Sequence, residues 1–159
     1  MADDGAHGLD EIDWAVMAEL QRDGRLPFAE LGRRVGLDTG SATERVRLLE
    51  AGGFITGYHA SVDLAKVGAP VLALVRLDQV ASRRRALERL LANRREILEC
   101  LWAAADGCYL LKVTASSMYH LDDVVNDIAQ LGAVTTTVVS TTVLRSRGLD
   151  APVDRAQQH

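Results

Sequence analysis

Between Leu9 and Gly53 the apolar residues fall three times into the 3.6-residue period of a helix, and glycine cuts each run off within a few turns. A stretch punctuated in this way has to pack several short helices together. In LDEIDWAVMAEL, Leu9, Ile12, Val16 and Leu20 make one stripe, with Asp10 and Asp13 in the opening turn, where the helix dipole favours them, and Asp23 and Gly24 after the close. Pro27 suits a first helical position, and Phe28, Leu31 and Val35 again share a face. Gly36 stops this second helix at a place that commonly needs positive φ. Asp38 caps the third, whose buried stripe is Ala42, Val46 and Leu49 and whose end is Gly52 with Gly53.

After Phe54 the pattern changes. Ile55, Tyr58, Ala60 and Val62 read as an extended connector, interrupted by Gly57 and closed by a loop around Gly68 and Pro70, which places a domain boundary near Leu64. Beyond it, VLALVRLD reads as a strand and SRRRALERLLANR as a helix with Ala86, Leu87, Leu90 and Leu91 inward. ILECLWAA and YLLKVTA, separated by Ala105, Asp106 and Gly107, suit adjacent antiparallel strands. Leu121, Val124, Val125, Ile128 and Leu131 mark a further helix, and VTTTVVSTTVL is rich in β-branched residues. The order βαββαβ predicts a ferredoxin-like sheet with helices on one face, so the fold class is α+β. The uncovered face calls for a second copy, hence a homodimer. The expected organisation is residues 1–64, a helical domain with its connector, residues 65–148, the ferredoxin-like domain, and residues 149–159, a flexible polar tail.

Composition narrows the function classes. A chain of 159 residues that is 48% apolar holds one or two small domains. A formal charge of -4 means that bulk charge does not draw the molecule to polyanions, so a nucleic-acid site must be a local patch. Cys100 and Cys108 match no zinc spacing and suit reduced thiols. No apolar run approaches a membrane span, and MADDGAHGLD lacks the basic start of a signal peptide, so a soluble cytoplasmic protein is expected. Arg83, Arg84, Arg85, Arg89, Arg94 and Arg95 cluster on and after one predicted helix, either as a second nucleic-acid surface or as a solvated face partly neutralised by Glu88 and Glu96.

Two helices joined by a glycine turn, the second capped by Asp38 and presenting Thr39, Gly40, Ser41, Thr43, Glu44 and Arg47 outward, fit a helix-turn-helix for double-stranded DNA. Short hydroxyls and arginine forks at the start of such a helix can meet base edges and phosphates in the major groove. Gly40 would let the backbone approach a phosphate closely. Arg25, Arg33, Arg34, Arg45 and Arg47 outnumber Glu30, Asp38 and Glu44, which makes the patch locally basic.

From Leu9 to Leu144 the chain resembles the Lrp/AsnC, or feast/famine, transcriptional regulators, on LDEIDWAVMAELQRDGR, on ELGRRVGL followed by ERVRLLEAGGFITGY, and on DGCYLLKV, in that order and at that family's spacing. The resemblance implies a winged-type helix-turn-helix, a strand-bearing hinge, and a βαββαβ domain that binds an amino-acid effector and assembles dimers, often octamers. It makes Thr39 to Leu49 the recognition helix, with Arg33, Arg34, Thr39, Gly40, Ser41, Thr43, Arg45 and Arg47 as the DNA-contacting set. Arg45 either meets phosphate or braces the fold. The same resemblance assigns the effector to Ala105, Asp106, Cys108 and Tyr109 of the middle loop and to Ser140, Thr141 and Thr142 of the last strand. Two departures stand out. Asp38-Thr39-Gly40-Ser41 replaces the family's usual Ser-Pro-Thr-like start, and Cys108 replaces a second acid beside Asp106. Asp106 can accept from an ammonium group, or it can serve only its own turn. No cofactor, metal site or catalytic trio is expected, since His7, His59, His120 and His159 are scattered. The alternatives are a ligand-independent DNA-wrapping protein and a tetrapyrrole decarboxylase-like enzyme. The second is disfavoured by the lack of His or Arg in ECLWAAADGCYLLKV.

Overall fold

The computed structural model describes residues 8–78, 83–144 and 147–150. They belong to two compact units, Met1–Ala60 with Arg145–His159, and Ser61–Leu144. The expectations for the N-terminal stretch before Gly8, for Ser82 as a helix start and for the tail beyond Asp150 lie outside the described residues.

The first unit holds α1 (Glu11–Arg22), α2 (Phe28–Val35) and α3 (Thr39–Ala51). The helix α1 starts two residues later than its apolar stripe because Asp10 and Asp13 close a capping box. The Asp13 N–H donates to Asp10 Oδ1 at 2.8 Å and the Asp10 N–H to Asp13 Oδ2 at 3.0 Å. Leu9 precedes the cap and still packs on the core. Pro27 proves to be the N-cap of α2 rather than its first residue, since its ψ of 142° is extended. Gly36, at φ 76°, turns the chain out of α2. Gly32 makes that turn tight, because a Cβ there would lie 2.6 Å from the Leu37 carbonyl oxygen. Val16, Met17, Leu20, Leu26, Leu31, Val46 and Leu49 fill the centre.

Among the described residues this unit contains no strand, so neither a wing nor a hinge strand is seen in the single chain. Within this stretch the Tyr58 hydroxyl donates to Glu50 Oε1 at 2.9 Å. Burial first, and then Glu50, push the Tyr58 phenol up to about 12. Leu149, expected at the start of a flexible tail, has its backbone bonded to α1: Gln21 Nε2 donates to the Leu149 carbonyl at 2.9 Å, and the Leu149 N–H donates to Gln21 Oε1 at 2.7 Å.

The second unit runs β1 (Val71–Asp78), α4 (Arg84–Asn93), β2 (Ile97–Ala103), β3 (Cys108–Ala115), α5 (Met118–Ala129) and β4 (Ala133–Val138). Its antiparallel sheet has the order β2-β3-β1-β4. One face, with Ala73, Val75, Leu77, Leu111, Val113 and Ala115, buries Leu87 of α4 and Leu121, Val124 and Ile128 of α5. Alternation puts Leu74, Leu101, Leu110, Lys112 and Arg76 on the other face. There Leu74, Leu101 and Leu110 remain 52%, 53% and 44% exposed.

Ser140, Thr141 and Thr142, expected on the last strand, lie beyond its end and are exposed. An edge strand can run only as far as its partner. The Val139 N–H still donates to the Leu72 carbonyl at 2.8 Å, but β1 begins at Val71 directly after Pro70, which has no N–H to offer.

Candidate nucleic-acid interface and effector site

The helix-turn-helix seats α3 by three devices. The stripe of Ala42, Val46 and Leu49 is buried, Gly36 sets the turn, and Asp38 caps the N-terminus by accepting from the Ser41 N–H at 3.0 Å and the Ser41 hydroxyl at 2.5 Å. The Ser41 contacts hold the Asp38 carboxyl below the usual carboxylate range. Thr39, Gly40, Ser41, Thr43 and Arg47 are all exposed, as the sequence predicts for a groove-facing side. Thr43 donates its hydroxyl to the Thr39 carbonyl at 2.7 Å, so it offers lone pairs and a methyl group outward rather than a donor.

The arginines are more committed than the sequence count implies. Arg47 forks onto Glu44 at 2.8 and 2.7 Å, and Arg33 forks onto Glu30 at 2.8 and 2.6 Å. Arg34 spans Glu30 and Glu19, both at 2.8 Å. The Arg33 and then the Arg34 guanidinium bring the Glu30 carboxyl down to about 2. Arg45 is half-buried and donates from Nη1 to Asp10 Oδ2 at 2.7 Å and Asp13 Oδ1 at 3.0 Å. Of the two roles open to Arg45, this geometry is that of a brace joining α3 to the cap of α1.

In the second unit, Ala105 and Asp106 are exposed in the β2–β3 turn, which Gly107 closes at φ 64°. Tyr109 packs against Trp102 with ring centroids 4.7 Å apart and the planes tilted by 53°, and Cys108 is fully buried. Asp106 is not a lone acceptor. Arg76 Nη1 lies 3.3 Å from its Oδ2, while Arg76 Nε donates to Asp78 at 3.0 and 3.2 Å. The sequence reasoning missed this Arg76–Asp78–Asp106 cluster, although the alternation in VLALVRLD already sets Arg76 and Asp78 on one face. Ser140 to Thr142 sit at the opposite end of the sheet, level with Val71 rather than Asp78. Seven strand residues at about 3.3 Å each separate the two groups by about 23 Å, so one chain does not bring them together.

Also missed was a group near that far end, where His120 Nε2 lies 2.9 Å from Glu96 Oε1 and His120 Nδ1 lies 3.0 Å from the Ser116 hydroxyl. Beside it an open cavity of about 390 Å³ is lined by Asn93, Arg95, Glu96 and Thr114. Among the described residues no cluster of ligands fit for a metal ion occurs, and no helix is long and apolar enough to cross a membrane.

Residues 9–50 match the AsnC-type helix-turn-helix domain, and residues 71–149 match the Lrp/AsnC ligand binding domain. The chain belongs to the Lrp/AsnC family. It is a DNA-binding transcriptional regulator with a ligand-binding domain, and its homologues are transcriptional regulators. It is 34% identical over 131 residues to the HTH-type transcriptional regulator LrpC of Bacillus subtilis, covering 82% of this chain and 91% of LrpC. It is 38% identical over 117 residues to the leucine-responsive regulatory protein of Escherichia coli, covering 69% of each. The solved structure of B. subtilis LrpC superposes with a TM-score of 0.81 at 33% identity over 87% of this chain and 99% of that one. A feast or famine regulatory protein of M. tuberculosis complexed with L-methionine gives a TM-score of 0.82 at 28% identity, over 91% of this chain and 100% of that one.

Proposed function

We propose that this Lrp/AsnC regulator reads duplex DNA with the first turns of α3, through Thr39, Gly40, Ser41, Thr43 and Arg47, with Arg33 and Arg34 on the phosphates beside them. The observation that carries the reading is the exposed hydroxyl and glycine side of α3, held outward by a fully buried stripe on its back. Arg45 is a brace in this reading and reaches the DNA only by leaving Asp10 and Asp13.

The effector of the second unit is an amino acid, in keeping with the L-methionine bound by the M. tuberculosis relative. Arg76 supplies a cation for its carboxylate, while Asp78 and Asp106 supply acceptors for its ammonium group. Because Ser140, Thr141 and Thr142 lie at the other end of the sheet, a site that uses both groups takes them from two copies of the chain. The protein works in the cytoplasm as a homodimer or a larger assembly and catalyses no reaction.

Fluorescence anisotropy on duplex from upstream of its own gene and on scrambled duplex, with and without L-methionine and a pooled amino-acid mixture, tests this reading. Selective binding that shifts with the mixture supports it. Selective binding that ignores every amino acid favours the ligand-independent wrapping protein, and equal binding to both duplexes overturns the α3 assignment.

A further inference from the structure

The DNA-binding unit is poor in cations that are free to meet DNA. Residues 8–60 hold six arginines, no lysine and nine carboxylates. Five of those arginines, Arg22, Arg33, Arg34, Arg45 and Arg47, already bond carboxylates of the same unit. Affinity for duplex comes largely from neutralised phosphates, and an arginine held by its own glutamate must give that partner up to reach one. Cations supplied elsewhere in the chain would offset the deficit.

The helix α4 carries such cations. Leu87 is buried and Leu90 and Leu91 pack on the core, so the opposite crest of the helix is Arg85, Arg89 and Ala92. Arg85 and Arg89 are exposed and have no carboxylate partner among the described residues. One helical turn separates them, about 6 Å at 1.5 Å per residue. Of the other four arginines of this cluster, Arg95 lies exposed beyond the helix and three are engaged. Arg83 donates to the Gln130 carbonyl, Arg84 lies 3.2 Å from Glu88 Oε1, and Arg94 is held by Asp123, Asp127 and Glu96. Glu96 itself turns to His120 and Arg94, so among the described residues Glu88 is the carboxylate left on the ridge, and it faces Arg84. Ala92, the next crest residue, has too small a side chain to keep a backbone away.

We infer that the Arg85–Arg89 crest of α4 is a second DNA contact, which takes the phosphate backbone of duplex outside the sequence read by α3. Its ligand is the phosphodiester chain: the crest offers two positive charges one helical turn apart and no further polar group with which to fix a base. The contact is therefore independent of sequence and depends on salt and on duplex length.

The test measures binding of the full-length protein over a series of KCl concentrations, on a duplex just long enough for the operator and on one several helical turns longer. The Arg85→Gln/Arg89→Gln double variant should bind the short duplex as the parent does, which verifies that the α3 site is intact. On the long duplex its slope of log K against log[salt] should fall by roughly two units for each chain engaged, at about 0.9 per lost phosphate contact. Arg84→Gln, whose arginine is held by Glu88, should leave both slopes unchanged. A long-duplex slope equal to the parent's overturns the inference. So does a double variant whose mass by light scattering falls while its slope at matched oligomeric state stays the same, because the crest is then a contact between copies of the chain.

Discussion

Arg45 and Arg47 lie two positions apart on α3 and perform different tasks. The half-buried Arg45 joins two carboxylates of the α1 cap, one of them on the buried Asp13, whereas the exposed Arg47 lies against Glu44 on its own helix. Arg45→Met should therefore lower the thermal unfolding midpoint and leave Asp13 without its cation, while Arg47→Ala should not move the midpoint. DNA binding separates them in the opposite sense. If Arg47 meets phosphate, Arg47→Ala weakens binding to every sequence and reduces the salt slope by about one unit. If it reads a base, the loss is about 1–3 kcal/mol and confined to the operator. Glu30 gives a pH prediction. Arg33 and Arg34 bring its carboxyl from 4.5 to about 2, so the ionised form is favoured in the folded state. The sign follows from linkage: the contribution is complete above pH 4.5 and is lost as the pH falls towards 2. Unfolding midpoints measured across that window should flatten in Glu30→Gln, and added salt should shrink the difference, because the group is exposed to solvent.

At the scale of elements, the turn from α5 into β4 depends on one glycine. A Cβ on Gly132 would lie 2.0 Å from the Asp78 carbonyl oxygen, where β1 ends, and backbone has no rotamer with which to yield. Gly132→Ala should cost about 3 kcal/mol, the upper part of the range for overpacking, and chemical denaturation of the variant measures it. The elements most legible in the sequence were those with local causes. The helix α3 between Asp38 and Gly52, the stripe of Leu121, Val124 and Ile128, and the strand VLALVRLD all follow from a period and a cap. Features set by distant partners were less legible. The β-branched run VTTTVVSTTVL does not show that β4 must end with β1, and the arginine count around α2 does not show that Glu19, Glu30 and Glu44 hold those charges. The effector loop was legible only in part for the same reason. Asp106 could be found from its turn, but its contact with Arg76 spans 30 positions.

For the whole molecule, the open face of the sheet is where assembly is expected and can be tested. Leu101 and Leu110 pair across β2 and β3, and Leu74 on β1 lies diagonal to Leu110 and opposite Lys112, which pairs in turn with Glu99; each of the three leucines is about half exposed. Three adjacent leucines facing water on a sheet whose other side is a complete core are unfavourable unless something apolar covers them. A second copy presenting the same face, related by a two-fold axis, is the expected cover. The charges fit this arrangement: Lys112 pairs in register with Glu99 on the neighbouring strand, so the face carries both signs and does not repel itself. Leu74→Lys places a third cation beside Lys112 and Arg76, at the centre of the face, while its exposure lets the monomer fold as before. Light scattering should then report the monomer mass for Leu74→Lys and at least twice that for the parent, with matching far-ultraviolet circular dichroism. DNA affinity should fall with assembly, since two helix-turn-helix units linked by the dimer bind two half-sites at high effective concentration and a monomer binds only one. A Leu74→Lys protein that keeps the parent's mass would place the dimer contact on another surface. The effector would then have to be met by some other juxtaposition of Asp106 with Ser140, Thr141 and Thr142.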